Sequence, residues 1–127
     1  MDARNYIVTK IMLQLGFPPG YNGFYFLRDA VLIACDDPEA LTLITKLIYA
    51  PLAKAYGTTP ENVEKSIRKA AETVWKRNGG TGKTVTVLNK EYQYASVRPE
   101  NKELILLIRG FVEQSGEVFD TDVRCGI

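Results

Sequence analysis

From Pro60 to Asn78 the apolar residues Val63, Ile67, Ala70, Ala71, Val74 and Trp75 recur at steps of three and four. That spacing aligns them on one stripe of an α-helix, whereas a strand would alternate them every two residues. At ~1.5 Å per residue the helix runs roughly 28 Å, so other elements must cover a long apolar stripe. Its start is marked as well. Thr58 or Thr59 can cap it, Pro60 suits a first position that needs no amide donor, and Glu61 faces the positive end of the helix dipole.

The same periodicity predicts most of the remaining chain. Ile7, Val8, Ile11, Met12 and Leu15 form a first helix over 5–15, ended by Gly16. Pro18, Pro19, Gly20, Asn22 and Gly23 read as a loop, and the apolar run 24–34 as a mostly buried helix. Asp36 and Asp37 before Pro38 give a capped start for a third helix, which Pro51 should stop near Tyr49 or Ala50. Pro51 to Tyr56 is a short helix with Leu52, Ala53 and Tyr56 inward, closed by Gly57. After Gly79, Gly80 and Gly82 the segment Thr84 to Leu88 is either a short strand or a poor helix. A last amphipathic helix starts at Pro99 or Asn101, runs through Val112 and ends at Ser115 and Gly116. The expected fold is all-α, about six helices in one domain over residues 1–116, with a solvated acidic tail at 117–127.

With 46% hydrophobic and 24% charged residues, the 127-residue chain can bury one core. It contains no histidine, which excludes a Ser-His-Asp relay, a Cys-His pair and a histidine-ligated metal centre. Cys35 and Cys125 have no C-x-x-C spacing, so neither a zinc finger nor a redox motif is available; Cys35 reads as a buried thiol, and the sparse usage suits a reducing cytosol. No apolar run is long enough to span a membrane, and the N-terminus has no signal-peptide pattern. No catalytic residue, cofactor or metal is expected, and the chain is expected to be cytoplasmic.

The short helix, glycine turn and long helix over about 49–78 have the organisation of a helix-turn-helix, whose second helix can enter the major groove of DNA. Ala53 is small where two helices approach, and Val63 and Ile67 hold the second helix against the first. Within this unit Lys54, Lys65, Arg68, Lys69, Lys76 and Arg77 stand against Glu61, Glu64 and Glu72, a surplus of three positive charges in a chain of net +1. The outward face of helix 60–78 then offers Glu61, Asn62, Glu64 and Lys65 to base edges, where lysine can donate to guanine, asparagine can pair with adenine and glutamate can accept from cytosine. Arg68, Lys69, Lys54, Thr58 and Thr59 are the candidate phosphate contacts. A solvated face with Glu61–Lys65 and Glu64–Arg68 pairs four residues apart is the competing account of the same charges.

Other motifs are weaker. Gly79-Gly80-Thr81-Gly82-Lys83-Thr84 ends like a phosphate-binding loop, but Arg77 stands where the motif needs its first glycine and a helix, not a strand, leads in. Tyr21, Phe24, Tyr25 and Phe26 are expected to be core rather than a base-stacking platform. Asp29, Asp36 and Asp37 lack calcium-loop spacing.

The chain resembles a known family through blocks in fixed order: Ile11-Met12-Leu13-Gln14-Leu15-Gly16, Gly23-Phe24-Tyr25-Phe26-Leu27-Arg28-Asp29-Ala30, Ile44-Thr45-Lys46-Leu47-Ile48-Tyr49, Leu52-Ala53-Lys54, Thr58-Thr59, Val63-Glu64-Lys65-Ser66-Ile67-Arg68-Lys69-Ala70 and Val74-Trp75. This is similar to the C-terminal DNA-binding effector domain of the sporulation-initiation response regulator of endospore-forming Firmicutes. The resemblance implies a helical domain that reads promoter elements in double-stranded DNA, with Glu64 and Lys65 at base-reading positions and Arg68 at a further contact. It also implies a homodimer on tandem sites, and a full-length sporulation regulator or RNA polymerase as protein partners. Lys65 stands where the family has arginine, and Glu61 and Asn62 where it has Ser-Arg; lysine lacks the planar fork that reads guanine bidentately. Residues 79–98 and the tail match the family poorly. No phosphorylatable receiver is expected within this sequence. The alternative is a degenerate relative that has lost DNA binding and serves as a protein-interaction module.

Overall fold

The computed structural model describes residues 3–115; Cys125, Gly116 and the expected tail at 117–127 lie outside them. Five α-helices, α1 (Ala3–Gln14), α2 (Asn22–Asp36), α3 (Ala50–Tyr56), α4 (Pro60–Asn78) and α5 (Asn101–Gln114), surround one apolar core. A 3-10 helix (Pro38–Leu43) and a π-helical turn (Thr45–Tyr49) join α2 to α3. The expected all-α architecture holds, with one addition: β1 (Thr84–Val87) and β2 (Lys90–Gln93) form a small antiparallel hairpin between α4 and α5.

Val8, Ile11, Met12, Leu27, Ala30, Val31, Ile67, Leu104, Ile105 and Ile108 are among the fully buried side chains and come from α1, α2, α4 and α5; α2 packs against each of the other three. Burying each large aliphatic side chain contributes about 1.5–3 kcal/mol. Both helix stops read from glycine are Schellman turns. Gly16, at φ +97°, sends its amide to Leu13 and the following amide of Phe17 to Met12; Gly57, at φ +69°, does the same toward Lys54 and Ala53.

Several expectations are corrected. Asn22 and Gly23 are not loop residues but the first turn of α2. Gly23 is required where α2 crosses α4: a Cβ there would lie 2.5 Å from the Ser66 carbonyl oxygen. The segment from Pro38 is 3-10 rather than α-helical, although Asp37 caps it by accepting from the Glu39 amide. The boundary before Pro51 falls at Tyr49–Ala50 as expected, but the backbone does not break there: Ala50 keeps helical angles and its N–H bonds to Thr45 O, five residues back. The wider π turn lets the chain pass through a residue that has no amide to donate. Tyr56 and Tyr21 are exposed instead of inward, at 45% and 67%. Tyr56 keeps a body contact, its ring edge-on to Phe26 at 5.0 Å, and donates its hydroxyl to Asp29. Ala70 is half-buried beside Gly23.

Of the undecided segment 84–88, Thr84–Val87 is a strand and Leu88 opens the turn. The strand's partner pairs Thr84 with Gln93 and Val87 with Lys90. The two-residue turn Leu88-Asn89 has both φ values positive, as a type I′ hairpin demands. Leu88 donates its amide to Gln14 Oε1 at 2.9 Å, and Tyr94 donates its hydroxyl to Leu15 O at 2.8 Å, so the hairpin is fastened to the end of α1.

Cys35 is half-buried rather than buried, a free thiol on α2. Burial still pushes it up to about 11 from an ordinary 9.0, against the pull of Arg4 and Arg109. The folded state therefore favours the neutral thiol: this contribution to stability is complete below pH 9 and is lost as pH rises toward 11. Iodoacetamide at pH 8 should label Cys35 roughly a hundredfold more slowly in the native protein than in urea, from its smaller thiolate fraction. Peptide mapping by mass spectrometry reads the ratio, and equal rates in both states refute the shift.

Candidate nucleic-acid interface

The short helix α3, its left-handed Gly57 and the long helix α4 occupy the positions expected for a helix-turn-helix. The Thr59 side chain caps α4 by accepting from the Asn62 amide at 3.1 Å, and Asn62 Nδ2 donates to Thr58 Oγ1 at 2.8 Å. Thr58, Thr59 and Asn62 are thus knit into one turn at the N-terminus of α4. Lys54 is exposed in the last turn of α3, on the other side of the glycine turn in sequence.

Val63, Ile67, Ala71, Val74, Trp75 and Asn78 are the buried face of α4. At about 100° per residue the opposite face divides into two flanks. On one stand Glu61, Glu64, Arg68 and Glu72. Arg68 is held between carboxylates one turn away on either side, with Nε 3.1 Å from Glu64 and Nη1 3.6 Å from Glu72. The expected Glu64–Arg68 pair is present. A Glu61–Lys65 pair is not formed among the described residues, and Lys65 is exposed without an acidic partner there.

On the other flank Ser66, Lys69, Ala70, Thr73 and Arg77 form one wall of an open groove with a volume of about 550 Å³. Phe17, Pro18, Tyr21 and the first residues of α2 make the facing wall. Lys69, Thr73 and Arg77 are exposed, and none of the described residues lining the groove is a carboxylate.

The rotation of α4 is set from the far side. Asn101, buried at the start of α5, donates through Nδ2 to Glu64 O at 3.0 Å and to the Tyr49 hydroxyl at 3.1 Å. One amide therefore ties α5 and the π turn to the backbone of a proposed base-reading residue. Burial raises the Tyr49 hydroxyl above its ordinary value, so it stays protonated at neutral pH. Reasoning from sequence missed Asn101, because a polar residue at a helix start reads as a cap; here Glu100 takes that role in a capping box with Glu103. It also passed over Arg77 as a contact, although the four-residue steps Lys69, Thr73, Arg77 were readable.

Among the described residues no cluster of acidic or cysteine side chains could hold a metal ion. No helix there is long and apolar enough to cross a membrane. Tyr21 lies on the groove wall rather than in the core, whereas Phe24 and Phe26 are buried as expected.

A family model described as sporulation initiation factor Spo0A C terminal matches residues 8–111. The match begins in α1, ends in α5 and passes through the whole helix-turn-helix. It also spans 79–98, which the sequence blocks had left outside the resemblance. With matched blocks, helix order and an open α4 face all in agreement, the chain belongs to the family of sporulation initiation factor Spo0A C-terminal domains, a DNA-binding regulatory family.

Proposed function

We propose that this protein is a sequence-specific DNA-binding transcriptional regulator that sets the N-terminal half of α4 into the major groove. Glu61, Asn62, Glu64 and Lys65 face base edges, while Lys54, Thr58, Thr59, Arg68 and Lys69 hold phosphates. The observation that carries this reading is the asymmetry of α4: one face is sealed into the core, and the other, with exposed Lys65 and Lys69, is left uncovered by the rest of the described chain. Arg68 must exchange Glu64 and Glu72 for phosphate. Exposed ion pairs of this kind are worth only about 0–1 kcal/mol, so a polyanion can compete for the guanidinium. The exchange frees Glu64 to accept from a cytosine amino group.

The test is selection of duplexes from a random pool, followed by titration of the winner and its scrambled counterpart over a salt series. A selected duplex bound about 10³-fold or more tighter than the scrambled one is expected. Lys65→Ala should cost about 1–3 kcal/mol on the selected duplex and relax preference at one base pair. Arg68→Ala should weaken both duplexes and flatten the salt dependence. Two equivalents of protein on a duplex with tandem copies of the site would support the dimeric arrangement.

The second reading, a protein-interaction module that does not bind DNA, draws on Glu61, Glu64 and Glu72, which place three carboxylates on the exposed side of α4. Equal and feeble binding to both duplexes would select it. A full-length relative or RNA polymerase would then be the partner to test by pull-down.

A further inference from the structure

We propose that the groove between α4 and the Phe17–Asn22 segment is a second DNA-binding surface, seating the sugar-phosphate backbone of one strand beside the bases that α4 reads, with Arg77 and Lys69 as its cations. It rests on the DNA-binding reading above and adds to it a strand contact outside the recognition turn.

Charge and continuity carry the inference. Lys69, Thr73 and Arg77 stand in a row about 12 Å long at ~1.5 Å per residue. Among the described residues neither cation has an acidic partner within 4 Å, and none of those lining the groove is a carboxylate. The opposite flank of the same helix is the reverse case, with Arg68 neutralised between Glu64 and Glu72. A phosphate lying along α4 therefore meets ready cations on the Lys69–Arg77 side, whereas Arg68 must first release Glu64 and Glu72. Across the groove, Tyr21 is 67% exposed and Asn22 is exposed. A phenol and an amide are the neutral donors that commonly bind phosphate and fix the register of a protein on a duplex. Lys69 belongs both to the outward face of α4 and to the groove wall, so a strand can pass from one to the other without leaving the protein. Basic residues in the last turn also suit the helix dipole, but that accounts for Arg77 only by charge; it gives no reason for a carboxylate-free groove beside it.

The experiment uses the full chain and a duplex selected by it from a random pool. Arg77→Ala and Lys69→Ala should each lower the magnitude of the slope of log K against log salt by about 0.9, and the double variant by about 1.8, with sequence preference retained and an unchanged melting midpoint. Tyr21→Phe should weaken the selected and scrambled duplexes alike while leaving the slope as it is. Methylphosphonate substitution, one phosphate at a time, should reveal a position at which the wild-type protein loses affinity and Arg77→Ala does not. An unchanged slope in Arg77→Ala, or a lowered slope with no such position, overturns the strand contact while leaving α4 recognition intact. Failure of the wild-type protein to prefer any duplex overturns both readings together.

Discussion

Replacing Ile67 with alanine is expected to lower stability by about 2–5 kcal/mol, the range for truncating a buried aliphatic side chain when its surroundings relax only partly. Ile67 is fully buried, at the centre of the α4 face that packs on α2, α3 and α5. Collapse into the vacated space is resisted from several directions. Thr59 caps α4 at its start, Asn101 holds the Glu64 carbonyl from α5, and Gly23 brings α2 into backbone contact at Ser66. A fall in Tm on the order of 10 °C follows, read by calorimetry and by urea unfolding with an unchanged slope. Ile67→Val, which removes one carbon, should cost only about 0.5–1.5 kcal/mol. A loss below about 1 kcal/mol in the alanine variant would show that α4 is not anchored through this row.

Gly23→Ala is the second large effect, and its sign runs against helix propensity. In an open helical position alanine gains up to ~1 kcal/mol over glycine. At position 23 the added methyl would stand 2.5 Å from Ser66 O and 3.1 Å from the Ala70 Cβ. Backbone cannot swing aside as the tip of a flexible side chain does, so α2 and α4 must part, at a net cost of about 1–3 kcal/mol. Gly110, in α5, is the internal control: a Cβ there meets nothing within 4 Å. Gly110→Ala should be neutral or stabilising, and chemical denaturation of the two variants side by side decides the matter. Equal behaviour would mean that the α2–α4 crossing has slack.

The prediction at Gly23 also shows where reading from sequence stops. The segment 18–23 before Phe24, rich in proline and glycine, has the composition of a loop, and that reading is correct as far as Tyr21. Nothing local distinguishes a glycine that breaks a helix from one that lets two helices touch. Pro51 is a comparable case, since its missing amide forbids an ordinary α turn but not the wider π turn that precedes it. The hairpin was only half legible: Val85 and Val87 alternate as a strand should, yet Leu88-Asn89 lacks the glycine that usually announces a type I′ turn.

The candidate interface divides in the same way. A threonine cap at 58 or 59, Gly57 as a left-handed stop and the buried row Val63, Ile67, Ala71 and Val74 all follow from residue type and spacing; the fold decides that the cap is Thr59. Glu64 and Arg68 could be named as partners from their four-residue separation. That Lys69 and Arg77 face a groove whose described lining holds no carboxylate depends on what stands across from α4.

Helical periodicity and capping act over a few residues, so residue order alone dictates the long helix, its start, the glycine turn before it and which of its faces is apolar. The crossing of α2 over α4 at Gly23, the Asn101 tie to Glu64 and the groove opposite Lys69 and Arg77 join residues tens of positions apart in the chain. These emerge in the folded chain, because a contact between distant segments is set by how the whole core packs and leaves no periodic mark on either segment alone.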